Sequence, residues 1–187
     1  MSMLIMTGGV PALASSGTYA GTESSMSAVV SIRDNSAKKS TSKEFGDEVA
    51  KAGKYMRTAP DGSFYFDVDA AKASGESATI LEVGVAVNQF SAVQNGRSDD
   101  TMSARGLPLW GNWCGPGHGG GSAVDVLDSI CRTHDQCYGS RGYFACSCDR
   151  NIVESIKRNI NRMSGGQRVA ASAVSVYFTY SACNPFK

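Results

Sequence analysis

The chain has 187 residues, 42% hydrophobic and 19% charged, with a formal net charge of +1. This is enough for one ordinary globular domain with an appendage or for two small ones, and no run reaches the eighteen apolar residues of a membrane span. Residues 106–187 carry eight Lys/Arg against five Asp/Glu, leaving ten against twelve elsewhere; this mild basic excess suits anionic lipid surfaces but lacks the clustered stripe of a nucleic-acid binder.

Taken in chain order, residues 1–14 read as the remainder of a signal peptide. Its apolar stretch ends in Ala12-Leu13-Ala14, a small-x-small cleavage pattern, and the missing basic region is placed before the given start. The alternative is an apolar N-terminal tail. Residues 15–42, rich in Ser, Thr, Ala and Gly, read as a flexible linker. Residues 43–100 then form a small helical region of unknown role. Within it, Phe45, Val49, Ala52 and Met56 predict a helix over 43–57, and Ala59-Pro60-Asp61-Gly62 marks a turn. A brief strand over 64–68 and a helix over 77–94, with Ile80, Val83, Val87 and Phe90 on one face, complete it. Asn95 to Asp100 breaks the pattern, and we find no chemistry in 15–100.

The C-terminal unit opens on Trp113-Cys114-Gly115-Pro116-Gly117-His118-Gly119-Gly120-Gly121. Glycine-rich backbone can turn several carbonyl oxygens toward one point, and with a nearby carboxylate it can make the all-oxygen shell that calcium requires. Val124 to Tyr138 follows as a predicted helix, with Ser122 as its candidate cap. The short Gly139–Gly142 connection leads into a second helix from Phe144 toward Met163, with Cys148, Ile152, Ile156 and Ile160 four apart. So brief a link makes the two helices antiparallel neighbours. Gly165-Gly166 is expected to end the second helix, and 168–182 to form a third, apolar segment.

All six cysteines lie between Cys114 and Cys183. An even, concentrated set reads as a disulfide framework in an oxidising compartment, with fifteen possible pairings. A zinc site built from Cys137, Cys146, Cys148 and His134 is the competing reading. A disulfide between Cys137 and Cys148 would staple the helix pair and bring His134 within reach of Asp149, an arrangement in which the carboxylate fixes the imidazole tautomer. Ser122 follows glycines, but Gly120-Gly121-Ser122-Ala123-Val124 lacks the second glycine of a nucleophile elbow, so water is the expected attacking group.

The runs CGPG, DVLDSICRTHDQCY and ACSCDR, in that order, resemble secreted phospholipase A2 over roughly residues 110–160. The resemblance implies a mainly α fold in which a calcium-binding loop precedes a disulfide-linked antiparallel helix pair. The short link between the helices suggests a compact, microbial or plant-like form over residues 106–187. It implies that His134 is the general base, Asp149 its partner and Tyr138 a support for the dyad. Calcium is implied to be held by Asp135 and the carbonyls of Trp113, Gly115 and Gly117. Cys114–Cys131 and Cys137–Cys148 carry over as disulfides, which leaves Cys146 to Cys183.

A second tyrosine that supports Asp149 in the family has no clear counterpart, and Tyr143 and Tyr177 are the candidates. His118 is read as lining the loop, since imidazole is a poor calcium ligand. Asp125 and Asp128 are read as serving the helix start and loop hydrogen bonding. Leu107, Leu109, Trp110 and Trp113 suit either a membrane-docking rim or core packing.

The implied activity is calcium-dependent hydrolysis of the sn-2 ester of glycerophospholipids at a membrane or micelle surface, by a secreted monomer. The alternative is a non-catalytic calcium-dependent phospholipid-binding or toxin-like module on the same scaffold.

Overall fold

The computed structural model describes residues 41–94, 109–117 and 119–187. The expected signal segment, most of the linker, the break at 95–100, Leu107 and His118 lie outside them.

Helix α1 spans Ser42–Gly53. Thr41 and Glu44 begin it with a reciprocal capping box, which satisfies two backbone donors that the first turn leaves open. The expected helix over 43–57 therefore ends early, and Met56 lies instead in strand β1, Met56–Thr58. This strand pairs antiparallel with β2, Phe64–Phe66, around the Pro60–Ser63 turn in which Asp61 accepts the Ser63 N–H. The expected strand over 64–68 stops at Phe66 because Asp67 caps helix α2, Val68–Ala73, by accepting the Ala70 N–H. Helix α3 spans Ala78–Gln94. Its Asn88 side chain accepts from the Phe66 N–H and donates to the Phe66 carbonyl, completing the edge of the small sheet.

Helix α4 spans Val126–Arg141 and helix α5 spans Cys146–Asn159. α4 passes through Gly139 and ends at Gly142, whose φ of 88° suits glycine and strains other residues. The cap is Asp125 rather than Ser122; Asp125 accepts the Asp128 N–H at 2.9 Å, while Val124 is 63% exposed and precedes the helix. Partners between the two helices run in opposite senses: Cys137 joins Cys148, and His134, one turn earlier, meets Asp149, one residue later. The pair is thus antiparallel. A 3-10 turn, Ile160–Arg162, follows α5, and Gly165 begins helix α6, Gly165–Tyr180, rather than ending its predecessor.

All residues of α6 from Ala170 to Tyr177 are buried. Three of the first four are alanine and the fourth serine, and such small side chains let α1, α3 and α5 pack against α6. One apolar core consequently joins Phe45, Phe66, Val83 and Phe90 to Leu127, Ile156, Ile160 and Val176. Each of these buried side chains stabilises the fold by about 1.5–3 kcal/mol before entropy is counted. The N-terminal helices are therefore part of the same core as the α4–α5 pair. The architecture is mainly α, with a two-stranded sheet and three disulfides: Cys114–Cys131, Cys137–Cys148 and Cys146–Cys183. No free cysteine remains among the described residues, so the zinc reading is corrected: its thiols are spent in disulfides. Among the described residues no helix is long and apolar enough to cross a membrane.

Candidate active site

His134 lies on the buried face of α4 and Asp149 in the first turn of α5, where the Cys137–Cys148 disulfide fixes their separation. His134 Nε2 is 3.1 Å from Asp149 Oδ1, and both residues are buried. A carboxylate only accepts, so in the neutral imidazole this pairing puts the proton on Nε2 and the lone pair on Nδ1. Nδ1 lies 4.0 Å from Asp135 Oδ1. The imidazole is held between the rings of Tyr138 and Phe178, with centroids at 4.2 and 4.6 Å.

The Tyr138 hydroxyl donates to Asp149 Oδ1. Burial, and then that hydrogen bond, push the Tyr138 phenol far above its ordinary value, so it acts as a neutral donor. The two candidates for the second tyrosine separate. Tyr177 is buried, and burial together with the Asp149 charge raises its phenol to about 12. Tyr143 is 69% exposed and stacks on Tyr138 instead.

The glycine loop is organised by Asp128, which is fully buried in the first turn of α4. Its carboxylate accepts the N–H groups of Asn112 (3.0 Å), Trp113 (2.7 Å) and Val124 (2.9 Å), which compensates for removing the charge from water. Gly111, with φ of 57°, leaves room for it, since a Cβ there would stand 2.5 Å from the carboxyl carbon. Two side-chain straps hold the far side of the loop: Asn112 Nδ2 donates to the Ser122 carbonyl and Trp113 Nε1 to that of Gly121. Arg132 lies 5.3 Å above the Trp113 ring. Leu109, Trp110 and Trp113 are all half-buried against the core, and Trp110 Nε1 donates to Asp125, which favours packing over a docking rim.

Loop carbonyls alternate in use. Those of Asn112 and Cys114 accept backbone N–H groups, whereas no hydrogen bond among the described residues ends on Trp113, Gly115 or Gly117. Asp135 faces the same loop: a Cβ on Gly119 would meet its Oδ2 at 3.2 Å. Burial, and secondarily the Asp128 charge, push the Asp135 carboxyl up to about 7, and no Lys or Arg pairs with it among the described residues. Among the described residues, a half-buried acid with no Lys or Arg partner and three carbonyls that accept no hydrogen bond line one cavity, oxygen donors of the kind calcium takes. No group of three or more His, Cys, Asp or Glu side chains that could hold a metal ion occurs among the described residues, so backbone oxygen has to supply most of such a shell.

A cavity of about 290 Å³ opens between loop and dyad. Its polar side is His134, Asp135 and the loop; its apolar side is Phe90 of α3, Ile152 of α5, and Val174 and Phe178 of α6. From the sequence Phe90 and Ile152 were read only as helix-face residues, and Val174 and Phe178 were not named, because nothing distinguishes a pocket-lining apolar residue from a core one until helices are packed.

Among curated proteins, the acidic phospholipase A2 homolog taipoxin gamma chain of Oxyuranus scutellatus scutellatus matches 33 residues at 52% identity. The match covers 18% of this chain and about a fifth, 21%, of that relative. It supports a phospholipase A2-like relationship over that stretch. No family model and no solved structure matches the chain.

Proposed function

We propose that this chain hydrolyses the sn-2 ester of glycerophospholipids in a calcium-dependent reaction, releasing fatty acid and lysophospholipid. The observation that carries the reading is the buried His134–Asp149 pair, joined through Nε2, at a cavity that also presents Asp135. His134 Nδ1 takes a proton from the attacking water. Asp149 stabilises the imidazolium so formed, and Tyr138 holds Asp149 in place. Asp135 and the carbonyls of Trp113, Gly115 and Gly117 would hold calcium, which when bound supplies positive charge for the substrate phosphate and the developing oxyanion. Phe90, Ile152, Val174 and Phe178 line the side that receives the acyl chain and keeps bulk water from it.

Three disulfides fit export to an oxidising compartment, and we propose a secreted monomer acting on membranes or micelles. The test is product analysis on phospholipid carrying different acyl chains at sn-1 and sn-2. Release of only the sn-2 acid in calcium, and of neither in chelator, is expected; release of both acids, or equal release in chelator, contradicts the proposal. A non-catalytic calcium-dependent lipid-binding module is the second reading, favoured by the word homolog in the relative's name. It is recognised by calcium-dependent vesicle binding with no acid released.

A further inference from the structure

Seven large apolar side chains are exposed among the described residues, and three of them gather at the link between α4 and α5: Tyr143 (69%), Phe144 (45%) and Phe186 (96%). Their assembly is enforced. The Cys146–Cys183 disulfide brings residues 183–187 beside the link, and the Asn184 N–H donates to the Phe144 carbonyl at 2.6 Å while its own carbonyl accepts the Cys146 N–H. Phe186 is tied back by its N–H to Asn184 Oδ1. Lys187 lays its aliphatic chain against Gly142 and donates from Nζ to the Tyr143 carbonyl, at 3.3 Å.

Phe144 has φ of 63°, the one non-glycine residue described with a positive φ. A bulky L-residue is strained there, so the fold accepts that strain while setting an aromatic ring at the surface. Charge points the same way. Across 136–153 and 181–187 the basic residues are Arg141, Arg150 and Lys187, and the single acid, Asp149, is buried in the dyad. Tyr143 also lines the cavity mouth, which makes this patch continuous with the catalytic cavity.

We infer that Tyr143, Phe144, Phe186 and Lys187 form an aromatic and cationic rim that seats the cavity mouth on an anionic phospholipid surface. The inference rests on the proposed lipid substrate for its placement but not for its test. Rings of this kind insert at the headgroup boundary while lysine keeps its ammonium among the anionic headgroups.

The test uses the full chain in two variants that spare the cavity, Phe144→Ser with Phe186→Ser, and Phe144→Gly alone. Co-sedimentation with phosphatidylglycerol vesicles, in the His134→Gln background to prevent turnover, reads docking. The double variant is expected to lower vesicle partitioning roughly tenfold or more, and phosphatidylcholine vesicles to bind the parent more weakly than phosphatidylglycerol. With His134 intact, hydrolysis of a short-chain phospholipid dispersed as monomers is expected to stay within about twofold of the parent. Phe144→Gly relieves the strained backbone, so it is expected to melt at or above the parent's temperature while losing vesicle affinity, which separates docking from misfolding. Partitioning of the double variant equal to the parent's overturns the inference, as does a parent dimer in sedimentation that the double variant breaks. If the parent binds vesicles through this rim but hydrolyses neither vesicle nor monomeric lipid, docking stands and the hydrolase reading fails.

Discussion

At the scale of single residues, the proposed chemistry divides between a base that must be free to accept a proton and an acid that must be free to meet a cation. Asp149→Asn removes the negative charge that stabilises the imidazolium and puts an amide N–H where a carboxylate oxygen stood, so the His134 tautomer is no longer enforced, and kcat is expected to fall by roughly 10²–10⁴. Tyr138→Phe loses one hydrogen bond to that acid and is expected to cost about tenfold. Steady-state rates on one vesicle preparation check the order, and a Tyr138→Phe loss equal to that of Asp149→Asn contradicts it.

Asp135 offers a separate handle in cation-free protein, where its folded carboxyl keeps a proton up to about pH 7 and the unfolded chain releases it near 3.8. Between those values the folded state binds more protons. This group's contribution to stability therefore declines as pH rises from about 4 to about 7 and is flat above. Thermal melts in chelator are expected to show a shallower decline for Asp135→Asn than for the parent across that window; identical slopes contradict the assignment. His134, Asp135 and Asp149 were legible because their side chains sit in a dense local motif. Phe90 and Phe178 were not, since they come from helices far apart in sequence and meet the dyad only after packing.

At the scale of elements, the loop and the first turn of α4 behave as one unit built on Asp128. Removing its carboxylate by Asp128→Ala leaves the N–H groups of Asn112, Trp113 and Val124 without their acceptor. The expected result is a fall in apparent calcium affinity of about 10–100-fold, the size seen when groups supporting metal ligands are lost. Isothermal titration checks it, and unchanged affinity would show that the loop holds its shape without Asp128.

Helix existence was legible from apolar spacing at 43–57, 77–94 and 124–138, but the boundaries were decided elsewhere. Gly139 resembles a stop signal, yet an interior glycine costs a helix only about 1 kcal/mol, and α4 continues to Gly142. Gly165 was read as a terminator and instead precedes a helix whose burial outweighs its glycine start. The sequence-local cap at Asp67 and the Asn88 bracket on Phe66 decide the hairpin and α2, and the second of these spans 22 residues.

At the scale of the whole molecule, the residues that surround the dyad are not confined to the segment that resembles phospholipase A2. The middle of α6, Ala170–Tyr177, is buried with α1, α3 and α5 packed against the helix, and the ring of Phe90 of α3 lies 4.4 Å from that of Tyr177, tilted against it. The N-terminal region expected from the sequence as a separate unit thus shares one apolar core with the helices that carry the candidate site. A chain restricted to residues 106–187 is expected to lose cooperative thermal unfolding even with its disulfides intact, as read by near-ultraviolet circular dichroism. A sharp transition near that of the full chain contradicts a shared core.

In the proposed reaction His134 acts as the base while other groups hold the cation. The most direct measurement is therefore paired, sn-2 hydrolysis and calcium affinity on the same preparation of His134→Gln. Turnover at least 10²-fold below the parent with calcium affinity within a few-fold is the expected result. Turnover equal to the parent's would remove the base from His134 and with it the proposed reaction.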